Sequence, residues 1–152
     1  MVIELGHRTV QADAPAVESV FANLRAMVCE SVGPMRHEVS VPFHDSQVRG
    51  AALLIQTGWD ERWGTDAYLD PGPFLGEHLI FRMVRSGVRL VGVDFPVVDR
   101  SVETRLVTTG KIPIVENLYG LRALPRVGFR FSAVPLEPAS TDGYAVRAFG
   151  EL

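Results

Sequence analysis

Lysine is almost absent from this chain, cysteine occurs once, and no apolar run approaches the length of a membrane span. Of the 15 basic residues only Lys111 is lysine, and the rest are arginine. That skew fits the codon bias of a GC-rich genome better than an anion-binding design. The single Cys29 excludes an intramolecular disulfide and fits a reducing compartment. The opening residues Met1-Val2-Ile3-Glu4-Leu5 do not read as a signal peptide, so a cytoplasmic protein is expected. A net charge of −3 leaves no basic footprint for nucleic acid or for a membrane surface. What the chain does have is apolar content, 47% of 152 residues, enough for one domain with a sizeable core.

The stretch that organises the reading is Lys111 to Gly120, KIPIVENLYG. One acid, Glu116, follows Ile112-Pro113-Ile114-Val115 and precedes Asn117-Leu118. A carboxylate in such surroundings either points to solvent at a strand end or needs a cation, a metal or a hydrogen-bond cluster.

Periodicity predicts an α/β chain, a single domain over 1–152 with a mixed, partly parallel sheet flanked by helices. Val2 to Leu5 reads as a strand and His7 to Pro15 as a polar loop. Val17, Val20, Phe21, Leu24, Met27 and Val28 follow helical spacing from Ala16 to a stop near Gly33-Pro34, with Cys29 a small buried residue. His37 to Phe43 reads as an edge strand because of Pro42. Ala51 to Ile55 is a continuous apolar run suited to a strand covered on both faces. Leu75, Leu79, Ile80, Met83 and Val84 predict a helix from Phe74 to Arg85, ended by Gly87, with His78 on the surface. Val88 to Val93 then completes a βαβ unit with a parallel strand pair. Ser101 to Thr109 reads as a short helix. Gly128 to Leu136 and Tyr144 to Phe149 alternate as a terminal hairpin. The loop Thr57 to Thr65 concentrates Trp59, Asp60, Glu61, Arg62 and Trp63 between glycines. Those tryptophans either wall a small-molecule pocket or plug the core.

Three motifs carry a resemblance: Thr57-Gly58-Trp59-Asp60 with Trp63-Gly64-Thr65, then Gly92-Val93-Asp94 with Val98-Asp99, then Pro113-Ile114-Val115-Glu116-Asn117-Leu118. In order and spacing they resemble the cyclase family that includes bacterial kynurenine formamidase and isatin hydrolase, from about Gly50 to Leu152. The resemblance implies a metal-dependent hydrolase of an amide, formamide or lactam, binding Zn or Mn and using a metal-bound water. It also implies a homodimer. The family's metal motif is His-x-Gly-Thr-His-x-Asp-x-Pro-x-His, with a later His and the Glu of the ENL motif. Imidazoles and carboxylates suit such ions.

Here His7, Asp13, Pro15 and Glu116 match that pattern. Gln11 stands at the second His, Thr9-Val10 at Gly-Thr, Val17 at the third His and Thr104 at the late His. The short N-terminus is a further departure. The ligands implied are His7, Asp13 and Glu116, with His37 or His44 as outside candidates. Glu116 and Asp13 are the implied catalytic groups, and Trp59, Trp63 and Asn117 the substrate contacts. Two alternatives stay open. One is a metal-free cyclase or dehydratase using Glu116 or Asp13 as acid or base. The other is a degenerate binding or structural subunit, to which pairing with a related chain belongs.

Overall fold

The computed structural model describes residues 1–11, 22–33, 38–97, 110–135 and 144–152. Among these residues seven strands form a sheet that closes on itself in the order β1-β5-β4-β3-β2-β6-β7. They are β1 (Val2–Gln11), β2 (Leu24–Glu30), β3 (Ala52–Gln56), β4 (Leu90–Val93), β5 (Ile114–Glu116), β6 (Arg130–Pro135) and β7 (Tyr144–Glu151). β2, β3, β4 and β5 run parallel, with Val28 opposite Leu54, Ile55 opposite Val93 and Gly92 opposite Val115. The remaining pairings are antiparallel, so the sheet is mixed as expected.

The βαβ unit is where the periodicity placed it. A helix (α2, Glu77–Ser86; α1 is the single turn Asp45–Val48) connects β3 to β4. It buries Leu79, Ile80 and Met83 on the sheet, while Val84 from the predicted stripe is exposed. Gly87 stops α2 at φ 78°, a left-handed conformation that glycine adopts without a Cβ penalty. His78 is exposed, as predicted.

Alternation divides the parallel strands between two cores. Leu53 and Ile55 of β3, Val91 and Val93 of β4, and Ile114 of β5 join the cluster beneath α2. Ala52, Leu54, Leu90 and Val115 join the barrel interior with Phe131, Ala133, Val146 and Ala148 from the antiparallel side. Gly92 belongs to this inner face. A Cβ there would lie 2.6 Å from a Leu54 methyl and 2.8 Å from a Leu118 methyl, so two side chains fill the space it vacates.

Three expectations are corrected. Leu24 to Glu30 is a strand, not the end of a helix: Leu24, Ala26, Met27, Val28 and Cys29 are all buried, split between the two cores. An apolar run covered on both faces matches helical spacing by accident, and parallel pairing with β3 decides the matter. Cys29 is buried as expected, though on a strand. His7 to Gln11 is not loop but the second half of β1, held by β7 along one side and β5 along the other. The segment after Glu38 forms one bridge, Glu38 with Phe74, rather than a strand, although Val39, Val41 and Phe43 alternate inward. Positions 12–21, 34–37 and 98–109 lie outside the described residues, and with them Asp13, Val17, His37, Asp99, Thr104 and the helix predicted over 101–109.

Candidate active site

The loops after β3, β4 and β5 meet at one end of the barrel, where parallel sheets hold ligands. Asp94, the residue after β4, is fully buried and organises them. Its Oδ2 accepts the Thr57 and Gly58 amides, each at 2.8 Å, and its Oδ1 accepts the Thr57 hydroxyl at 2.6 Å. Burial pushes its pKa up to about 6, against the pull of those donors. Asp94 thereby clamps the start of the tryptophan loop to the sheet.

The loop continues as two 3-10 turns, Trp59–Arg62 and Asp66–Leu69. Trp59 is fully buried and donates its indole N–H to the Tyr68 carbonyl at 3.0 Å. Trp59 is therefore a core plug, which corrects its reading as a substrate contact: a side chain with no exposed surface meets no ligand without a rearrangement. Trp63 is 53% exposed and stands edge-on to Tyr68, ring centroids 5.0 Å apart. The Tyr68 hydroxyl donates to the Asn117 Oδ1 at 2.8 Å. Asp60 accepts the Gly120 amide at 2.9 Å and lies 3.7 Å from the Arg122 guanidinium, which pairs with Glu61 at 2.7 Å. The tryptophan loop is thus sewn to the segment after β5 at three residues, Asn117, Gly120 and Arg122.

Glu116 ends β5, half-buried, and its Oε2 accepts the Val97 amide at 3.0 Å. Asn117 turns the chain with φ 62°, a left-handed conformation that asparagine tolerates better than most residues. Glu116 therefore does not simply face water, and its carboxylate is bridged to the segment after β4.

The β1–β5 register sets Thr9 opposite Glu116. His7 lies two residues from Thr9 along β1, and Gln11 pairs with Ile114. His44 precedes α1, which contacts β2, three strands from β5. That placement removes His44 as a ligand. Among the described residues no three His, Cys, Asp or Glu side chains converge as a metal set. Asp94 has both oxygens engaged by the Thr57–Gly58 turn. Among the described residues Glu116 is the carboxylate that ends β5 on the strand next to β1.

The comparisons agree with this architecture. The family profile described as "Putative cyclase" matches residues 28–100, from β2 past Asp94. Isatin hydrolase A from Ralstonia solanacearum superposes with a TM-score of 0.73 at 16% identity, covering 99% of this chain and 80% of that one. The fold is that of the cyclase family. Isatin hydrolase A from Labrenzia aggregata, bound to benzyl benzoate, gives a TM-score of 0.73 at 16% identity, over 95% and 72% of the two chains. A structure described as a potential metal-dependent hydrolase with cyclase activity gives 0.70 at 16% identity, over 95% and 77%. In sequence, an uncharacterized protein of Methanocaldococcus jannaschii is 25% identical, over 82% of this chain and 78% of its own.

Sequence reasoning singled out Glu116, Asn117 and the loop from Trp59 to Trp63, and the fold brings these together. It missed Asp94 as the clamp and Tyr68 as the link between loop and strand. Asp94 follows the apolar run Leu90–Val93, and an acid directly after a buried strand is the signal that pointed to it. Tyr68 carried no such signal. Among the described residues no helix is long and apolar enough to cross a membrane.

Proposed function

We propose that this cyclase-like chain is a hydrolase that opens a C–N bond of an amide, formamide or lactam at the Glu116 end of the barrel. The observation that supports the reading is the β1–β5 register, which sets Thr9 opposite the half-buried Glu116, two residues along β1 from His7. His7, Glu116 and Asp13 would hold a divalent ion, Zn or Mn. Such an ion would supply a Lewis acid that polarises a carbonyl and lowers the pKa of water. The chain's own residues do the positioning. The Val97 amide orients the Glu116 carboxylate, and the Tyr68 hydroxyl orients the Asn117 side-chain oxygen. That bond leaves the Asn117 amide nitrogen as the group to donate to a substrate oxygen. Trp63, exposed against Tyr68, forms one wall. A homodimer belongs to the same reading, and pairing with a related chain to the degenerate-subunit alternative.

The test is metal content and turnover together. Protein purified without chelator is expected to hold close to one equivalent of Zn or Mn and to hydrolyse a formamide or lactam panel. Glu116→Gln is expected to remove both while leaving the circular dichroism spectrum unchanged. Turnover that persists without metal and vanishes in Glu116→Gln would replace the metal with Glu116 as general acid or base. Turnover indifferent to Glu116 would overturn the site.

A further inference from the structure

A cavity opens at the carboxyl ends of β2 and β3, two strands along the rim from Glu116. It holds about 510 Å³. Val28, Val32 and Leu124 give it an apolar side, and Glu30, Gln56 and Arg126 give it three polar groups. The backbone beneath these groups is fastened: the Val28 amide donates to the Arg126 carbonyl at 2.9 Å and the Ser31 amide to the Gln56 carbonyl at 2.8 Å. Arg122 also reaches the cavity, but its guanidinium is engaged by Glu61 at 2.7 Å. Arg126, Glu30 and the half-buried Gln56 amide, in contrast, have no side-chain hydrogen-bond or ion-pair partner among the described residues.

A cation and an anion therefore face one cavity without pairing with each other, and an amide able to donate and accept stands on the same wall. Glu30 and Arg126 are exposed at the cavity mouth and neither holds an intramolecular counter-charge among the described residues, so the complement of this lining is a molecule that carries both charges. Arginine's planar fork recognises a carboxylate in two parallel hydrogen bonds, and a carboxylate side chain recognises an ammonium. We propose that this cavity binds a small zwitterion of the α-amino-acid type, its carboxylate on Arg126, its ammonium on Glu30 and an apolar side chain against Val28, Val32 and Leu124. Gln56 completes the polar contacts. The proposal does not depend on hydrolysis at Glu116.

Titration calorimetry of the full chain tests it with three probes: L-leucine, isocaproate, which lacks the ammonium, and isoamylamine, which lacks the carboxylate. Leucine is expected to bind saturably and about tenfold or more tighter than either analogue, the scale of one lost charge-assisted contact. Arg126→Gln is expected to weaken leucine and isocaproate about tenfold and to leave isoamylamine unchanged. Glu30→Gln is expected to weaken leucine and isoamylamine and to spare isocaproate. Both side chains are exposed, so folding should survive either change. Absence of saturable leucine binding, analogues that bind as well as leucine, or indifference to both substitutions would each overturn the proposal.

Discussion

The parallel and antiparallel halves of the barrel share one interior, yet they carry their side chains differently. In β2 to β5 successive residues alternate between two apolar environments, the interior and the layer under α2, so nearly every position is buried. In β6 and β7 the inward residues Phe131, Ala133, Val146 and Ala148 are buried, while Arg130, Val134, Ala145 and Arg147 are exposed. The two-faced half leaves no side chain for chemistry along its strands, and its polar groups are pushed to the strand ends. There Thr57, Asp94 and Glu116 gather. The difference explains why the candidate site lies at the rim and not on the barrel wall.

Substitutions can break or sharpen that contrast. Leu54 is fully buried in the interior, and Leu54→Ala is expected to cost about 2–5 kcal/mol in urea unfolding. A loss under about 1 kcal/mol would show that the interior collapses around the gap and that the parallel half is less tightly filled than described.

Asp94 tests the rim. The native group holds its proton to about pH 6, whereas an unfolded aspartate loses it near pH ~4. In that window the native state binds more protons, so this contribution to stability is complete below the unfolded value and is lost as pH rises through the native one. Its span is on the order of 3 kcal/mol. Urea midpoints followed across that window should fall with rising pH on this account. Asp94→Asn should flatten the slope while lowering every midpoint, because an amide nitrogen would face the Thr57 and Gly58 N–H groups. A slope unchanged by the substitution would assign the proton to another group.

Gly92→Ala probes the closest approach within the interior. The added methyl meets Leu54 and Leu118, and a cost of about 1–3 kcal/mol is expected from overpacking. The smallest effect belongs to the one-faced half. Val134 on β6 is 43% exposed, so Val134→Thr should shift stability by less than about 0.5 kcal/mol. A larger loss would mean that the outer face of β6 is covered in solution, as an oligomer would cover it.

What could be read in advance follows the same division. The β3–α2–β4 unit was legible because each element carries a local signature: a continuous apolar run, a helical stripe, a glycine stop. The β6–β7 hairpin was legible from alternation. β2 was misread because its burial on both faces erases the period of two, and Leu24, Met27 and Val28 then match a helical stripe. The second half of β1 was misread because His7 to Gln11 is polar, and its strand character comes from partners more than a hundred residues away on one side and about as far on the other. At the site, Glu116 stood out as an acid in an apolar frame. The clamp of Asp94 on Thr57 spans 37 residues, and no spacing rule connects them.

By itself the sequence determined the class of the fold, the βαβ unit at its centre and the acid that ends β5, since these rest on short-range periodicity and on the cost of burying a charge. Only the tertiary structure decided that the sheet closes, that Trp59 fills the core while Trp63 faces outward, and that β1 lies against Glu116. Those outcomes depend on strand register. Register is set by contacts between distant residues, and local spacing carries no record of it.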